Sequence, residues 1–296
     1  VTRALSMARQ PSRRRSGEGL TAGLLVGPAT AIVLLSLVAP LALLARYSLN
    51  QYDRMTFMKE AFTAENYLRF VADPFYAGVL WTTLSIALVT TALCLVIGFP
   101  IAYGIARMQS RWKSTAVLLV ILPLFIGSTV RALGWIGLLG RGGLVDSMSG
   151  LVVPGGGVTL LYTSFAVAIG ILSINLPYMI LTLQGVIESI DARLEEAADS
   201  LGATPGRRFW HVVLPLALPG LATGGILVFI LAMNAYATPF LLGGARFQMM
   251  APMLYREYAV NNNWPFAAAI AFILMLTTLS LTAASTLLLQ RRYQGA

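Results

Sequence analysis

Six apolar stretches, each long enough to cross a lipid bilayer, decide what this chain can be. They cover residues 20–46, 77–106, 114–140, 158–187, 214–242 and 266–289. A membrane-crossing helix needs about 20 mostly apolar residues. Hydrocarbon offers no water to backbone N–H and C=O groups, so each run has to satisfy them internally, as a helix. Only 11% of the residues are charged, against about 25% in soluble domains. The expected fold class is an all-α integral membrane protein of six transmembrane helices. The first run follows a basic leader, as a signal peptide would. It stays apolar beyond the roughly 7–15 residues of a signal core, so it reads as a retained anchor.

The net charge of +9 is a membrane signature here. Arg3, Arg9, Arg13, Arg14 and Arg15 all precede the first run, and no basic patch interleaved with aromatics follows them. Nucleic acid is therefore not an expected partner, whereas lipid is. With the N-terminus inside, the inner segments hold 13 of the 21 basic residues and the outer segments 8. That bias predicts two cytoplasmic termini. The expected organisation is a basic cytoplasmic tail (1–19), then the first helix with an aromatic outer segment (20–76). A helical domain (77–289) and a short cytoplasmic tail (290–296) follow. Within the outer segment, "FTAENYLRFVADP" predicts a short interfacial helix capped by Thr63 and stopped at Asp73-Pro74. Residues 140–157 read as a glycine-rich outer loop.

Much chemistry is excluded by what is missing. Neither of the two lysines, Lys59 and Lys113, stands in the Gly-Lys-Ser/Thr context that cradles phosphate, so the chain is not expected to be an ATPase. None of the 12 acids lies in the middle of a run, which removes the usual site of proton or cation coupling. Cys94 is the single cysteine and His211 the single histidine, so no metal or nucleophile set can be assembled. Neither a catalytic residue nor a metal site is expected.

Between runs four and five lies a polar island, residues 188–215, that breaks the apolar pattern. Ile190, Leu194, Ala197, Ala198 and Leu201 recur at helical spacing, with Arg193, Glu195, Glu196 and Asp199 off that stripe. Asp191 suits the helix start and Gly202 the left-handed position after its end. Thr204-Pro205 supplies a cap and a first-turn proline for a second helix reaching Leu214-Pro215. Two short helices bent at a glycine, outside the bilayer, are expected. The alanine pair offers a low face to an approaching surface, and an amphipathic hairpin resting on lipid fits the same spacing.

"EAADSLGATPGRRFWHVVLP" resembles the EAA signature of ABC importer permeases. The matching positions are Glu196, Ala197, Ala198, Gly202, Val212, Leu214 and Pro215, with Val212 where the family commonly carries Ile. "LPLFIGSTVRALGWIGLLG", "LPYMILTLQGVIESID" and "YATPFLLGG" are similar to the spermidine/putrescine group of those permeases, and the likeness runs through nearly the whole chain after residue 20. The resemblance implies a type I importer fold in a bacterial inner membrane, with the island as a coupling helix seated on a separate ATPase subunit. It further implies a second permease subunit, the same or paralogous, and an extracytoplasmic solute-binding protein. ATP and magnesium would sit on the ATPase, leaving no cofactor on this chain. A polyamine is the first expected solute, another small solute the alternative. A stand-alone carrier lacks support from in-span acids.

Polar residues inside the runs are the remaining candidates. Asn175 and Tyr178 flank Pro177, and Asn234, Tyr236 and Thr238 precede Pro239. Such groups either bond across helices or line a water-filled path, and both roles stay open at this level. Arg131 lies toward the outer end of run three, where snorkelling to the interface and a part in an outer gate both fit; Trp135 reads as an interfacial anchor.

Overall fold

The computed structural model describes residues 16–152, 160–244 and 247–294, so the arginines of the basic leader, residues 153–157 of the glycine-rich segment and Arg246 lie outside the described residues. The chain divides into two units, residues 1–47 and 48–296. In the first unit a single helix, α1 (Ser16–Ser48), carries the apolar window Gly27–Ser48.

The second unit opens with the outer segment. α2 (Glu65–Ala72) is the expected short helix, with Ala64 at the cap position and Thr63 Oγ1 accepting from the Glu65 N–H at 3.2 Å. Asp73 ends α2 and begins α3 (Pro74–Ala106), where its carboxylate accepts from the Phe75 N–H at 2.9 Å. One residue thus stops one helix and caps the next, because Pro74 has no N–H to continue α2 and a φ suited to the first turn of α3. Buried Asn66 donates to the carbonyls of Ser48 and Asn50, both at 2.8 Å, and so fastens α2 to the preceding loop.

Among the described residues, five helices are long and apolar enough to cross a membrane. The third expected span is not one straight helix. It consists of α4 (Lys113–Ile121), a 3-10 turn (Leu122–Phe125) and α5 (Ser128–Leu139), and its two halves bend by 95°. Ile126 and Gly127 take extended backbone (φ −88, ψ 119 and φ −57, ψ 147). Two extended residues after Pro123 end the i to i−4 ladder. Residues 144–152, expected within a loop, form α6 (Leu144–Val152).

α7 (Ser164–Ser189) is the fourth span, capped by Thr163 Oγ1 on the Ala166 N–H at 3.2 Å. After the polar island's first helix, α8 (Arg193–Ser200), comes α9 (Pro205–Arg208). The expected second short helix is not separate: α9, a π-helical turn (Phe209–Val213) and α10 (Leu214–Met233) form one 29-residue apolar helix, Pro205–Met233. Pro215 follows directly on the π-helical turn, where the chain passes from π to α hydrogen bonding, and the helix continues through it. The break comes later, at Asn234-Ala235, before α11 (Ala237–Leu242). α12 (Met250–Ala259) and the last span, α13 (Trp264–Gln294), complete the chain.

α3, α7 and α10 pack together as the heart of this unit, with Cys94, Met179, Leu183, Ile187, Ala217 and Val228 fully buried among them. Lipid supplies no hydrophobic drive between helices, so close packing of small residues does the work. At Gly170 a Cβ would lie 2.5 Å from Thr238 Cγ2 and 2.6 Å from Leu242 Cδ1. The missing side chain lets α11 rest directly on α7, and that contact positions the second helix break.

Candidate functional site

Two places gather the expected residues. The first is the polar island. Gly202 has φ +79, a left-handed value, and it closes α8 with a reciprocal pair of bonds: Gly202 N–H to the Asp199 carbonyl at 2.9 Å, Ala203 N–H to the Ala198 carbonyl at 3.0 Å. This is the six-to-one and five-to-two pattern that ends many helices on glycine. Thr204 Oγ1 then accepts from the Arg207 N–H at 3.4 Å and starts the next helix.

α8 faces its body with the side opposite to what hydrophobicity alone would choose. Leu194 is 48% and Leu201 89% exposed, Ala197 is exposed and Ala198 half-buried, so the apolar stripe points outward. The single buried residue of α8 is Glu195. Its Oε1 accepts from Arg107 Nε at 2.7 Å, its Oε2 accepts from the Tyr103 hydroxyl at 2.7 Å, and Arg208 Nε lies 3.5 Å from the same oxygen. Arg107 Nη2 also donates to the Ile190 carbonyl at 3.1 Å, and Arg208 pairs with Asp199. Beside this cluster Lys113 Nζ lies 2.9 Å from Glu188. Breaking a fully buried ion pair from one side costs about 3–5 kcal/mol; Arg107, 22% exposed, keeps some water, so its loss costs less.

Of the expected coupling residues, Glu196, Ala197 and Gly202 are exposed and Ala198 is half-buried. Val212, Leu214 and Pro215 lie apart from them. Val212 is in the π-helical turn, Leu214 packs on the core, and Pro215 is in the first turn of α10. Those three shape the joint between island and span. Glu195 escaped the sequence reading, which set it only among the charged residues off the apolar stripe. The available signal was Arg107 with Tyr103 one turn earlier: a cation and a hydroxyl at the end of an apolar run, both needing a partner.

The second place is a cavity of about 400 Å³ bordered by Ser128, Thr129, Ile171, Ile174, Asn175, Tyr178, Leu231, Asn234, Ala235, Tyr236, Ala237 and Thr238. It opens where the two broken spans interrupt their helices, beside the Pro177 turn of α7. Irregular backbone at membrane depth is tolerated where it lines such a space. Asn175 is 2% exposed, and its amide Nδ2 has no hydrogen-bond partner among the described residues. Asn234 Nδ2 donates back to the Ile230 carbonyl at 2.8 Å. The Tyr236 ring lies 5.5 Å from Phe240 and 5.1 Å from Tyr255.

Arg131 does not border this cavity. Its guanidinium donates to the Ser173 and Ile126 carbonyls, each at 3.1 Å, and to the Pro123 carbonyl. The guanidinium is a stitch across the break in span three, joining the Pro123 and Ile126 carbonyls to the Ser173 carbonyl of α7. Trp135 donates through Nε1 to Ser173 Oγ at 3.0 Å.

Comparison with known proteins agrees with this geometry. Residues 61–293 match the family described as binding-protein-dependent transport system inner membrane component. Over 220 residues, 74% of this chain and 77% of the relative, the sequence is 36% identical to the spermidine/putrescine transport system permease protein PotB of Haemophilus influenzae. The Escherichia coli protein of that name is 34% identical over 223 residues, 75% of this chain and 81% of the relative. A chain from the crystal structure of a bacterial ABC transporter that imports the acidic polysaccharide alginate superposes with a TM-score of 0.68 at 18% identity, covering 93% of this chain and 96% of that one. The likeness identifies the fold as that of the type I ABC importer permeases. The chain belongs to the family of binding-protein-dependent transport system inner membrane components.

Proposed function

We propose that this chain is the permease subunit of an ATP-driven importer for polyamines, with α8 seated on a separate ATPase subunit. The observation that carries the docking reading is the outward apolar stripe of α8, Leu194, Ala197, Ala198 and Leu201, on a helix that keeps its carboxylate inside. A helix resting its apolar face on nothing is incomplete, and the small Ala197 and Ala198 let a partner's surface come close. Both termini and the island then lie on the cytoplasmic side. A second permease, the same chain or a paralogue, and an extracytoplasmic binding protein complete the assembly.

The substrate reading draws on the 36% and 34% identity to spermidine/putrescine permeases. The cavity suits a cation that has to leave again. Tyr178 and Tyr236 border it, and an aromatic ring face attracts a cation by about 0.5–2 kcal/mol. No carboxylate borders it to trap the cation. Selection would rest mainly with the binding protein.

The test is to purify the complex with its neighbours, identify the binding protein and measure its ligand. Diamines or longer polyamines in an acid-lined, aromatic pocket support the reading; a basic pocket that binds anions ends it. For the docking face, Ala198→Cys in a chain with Cys94 replaced by alanine is expected to crosslink to the ATPase. A lipid-resting hairpin would give no such product.

A further inference from the structure

We infer that Glu195 is a positioning residue that locks the coupling helix to the end of span two, so that α8 and α3 move as one body. The inference rests on the ATPase-docking reading of α8 for its consequence, though not for its geometry. Among the residues of α8 only Glu195 is buried; every apolar side chain of its stripe faces away from the bundle or is half-covered. The helix therefore has no hydrophobic grip on α3. Its one buried tie to α3 is a carboxylate, which accepts from Arg107 and Tyr103 at 2.7 Å each.

Three features make this a latch and not a decorative surface pair. The carboxylate takes a donor at each oxygen, which fixes its plane as well as its place. Charge-assisted bonds of this length are about twice as strong as neutral ones. Arg107 reaches at the same time to the Ile190 carbonyl, so a single guanidinium joins the ends of α3 and α7 to the start of α8. Arg208, from the helix that becomes span five, closes the cluster on Glu195 Oε2 at 3.5 Å. A push on the exposed face of α8 would reach span two through Arg107 and Tyr103, and span five through Arg208. Remove the charge, and α8 keeps its Asp199–Arg208 pair and its chain ends but loses its link to span two. Coupling between sites is carried by contiguous hydrogen-bond and salt-bridge networks, and this cluster is such a link between α8 and spans two and five.

The test uses the assembled complex in lipid nanodiscs, with Cys94 replaced by alanine and spin labels at Ser200→Cys on α8 and Gly104→Cys on α3. Distances are read with and without trapped ATP. In the parental background one narrow distance, the same in both states, is expected. Glu195→Gln is expected to lose that single narrow distance and to shift it when ATP binds. Tyr103→Phe, which removes one hydroxyl and no charge, is expected to broaden it less, and it decides the matter if Glu195→Gln fails to assemble. A distance that stays narrow and state-independent in both variants overturns the latch. The Ala198 crosslink is recorded in the same samples. Its absence in the parental complex would sink the docking reading, while the nucleotide-free label distance still judges the latch.

Discussion

At the scale of single residues, Gly202 shows how a backbone angle becomes a functional demand. Its φ of +79 is open to glycine, while an L-residue in the left-handed region pays roughly 1–2 kcal/mol. No atom lies within 4 Å of where its Cβ would stand, so the penalty of a side chain is conformational and not steric. That separates two variants of similar size. Asparagine visits the left-handed region readily and valine does not. Gly202→Asn is therefore expected to keep most of the ATPase binding. Gly202→Val should insert normally yet bind the ATPase poorly, with uptake and stimulated ATP hydrolysis falling together. Equal behaviour of the two in a pull-down with the ATPase would show that bulk matters and the turn does not. Gly202 was legible in the sequence because its reason is local: a glycine after a helical stripe and before Thr-Pro. Glu195 was not, because its partners Tyr103 and Arg107 come from a helix some 90 positions away, and no local pattern marks which acid faces inward.

At the scale of elements, the two broken spans carry most of what distinguishes this fold from a plain bundle. Hydropathy sees both halves of a broken span as one run, since Leu, Ile and Phe continue across the bend. It placed a straight third helix over residues 114–140 and a fifth over 214–242 for that reason. The long-range pairing that repairs a break is equally invisible to it. Arg131 repairs the first by donating to the Pro123 and Ile126 carbonyls and to Ser173 on α7. A hydrogen bond to a charged group contributes about 1.5–3 kcal/mol, and these acceptors are partly buried or exposed, so the loss lies toward the low end. Arg131→Met is expected to lower the melting temperature of the detergent-solubilised complex clearly. Arg131→Lys should fall between, because a compact ammonium lacks the wide planar fork that reaches the 3-10 turn, Ile126 and α7 at once. If Arg131→Met melts with the parent, the carbonyls are served by water and the side chain is no stitch. The helix starts were more legible than the breaks. Asp73-Pro74 and Thr204-Pro205 announce themselves within a few residues.

At the scale of the molecule, the division of labour is what a chain without phosphate-binding or intramembrane acidic groups requires. On the proposed function, energy arrives from outside through α8 and the solute passes where the helices come apart. Reconstituted alone in liposomes, the chain is expected neither to hydrolyse ATP nor to accumulate solute; ATP turnover by the purified single chain would contradict that. The sharper test concerns Asn175. Its buried Nδ2 lacks a partner among the described residues, and a buried polar group left unpaired weakens a fold. Were Asn175 there for stability, leucine would cost the protein. Facing a cavity of about 400 Å³ instead, leucine should remove an unsatisfied donor and fill space with methyl groups. Asn175→Leu is thus expected to leave the melting temperature unchanged or to raise it, while uptake falls and the Ala198 crosslink to the ATPase persists. Tyr178→Ala, Asn234→Leu and Tyr236→Ala should share the loss of uptake and the intact crosslink. Strain kept at a working site at the expense of stability is common where function needs it. The opposite result, a lower melting temperature with normal uptake in Asn175→Leu, would make Asn175 a structural bridge and move the solute path elsewhere.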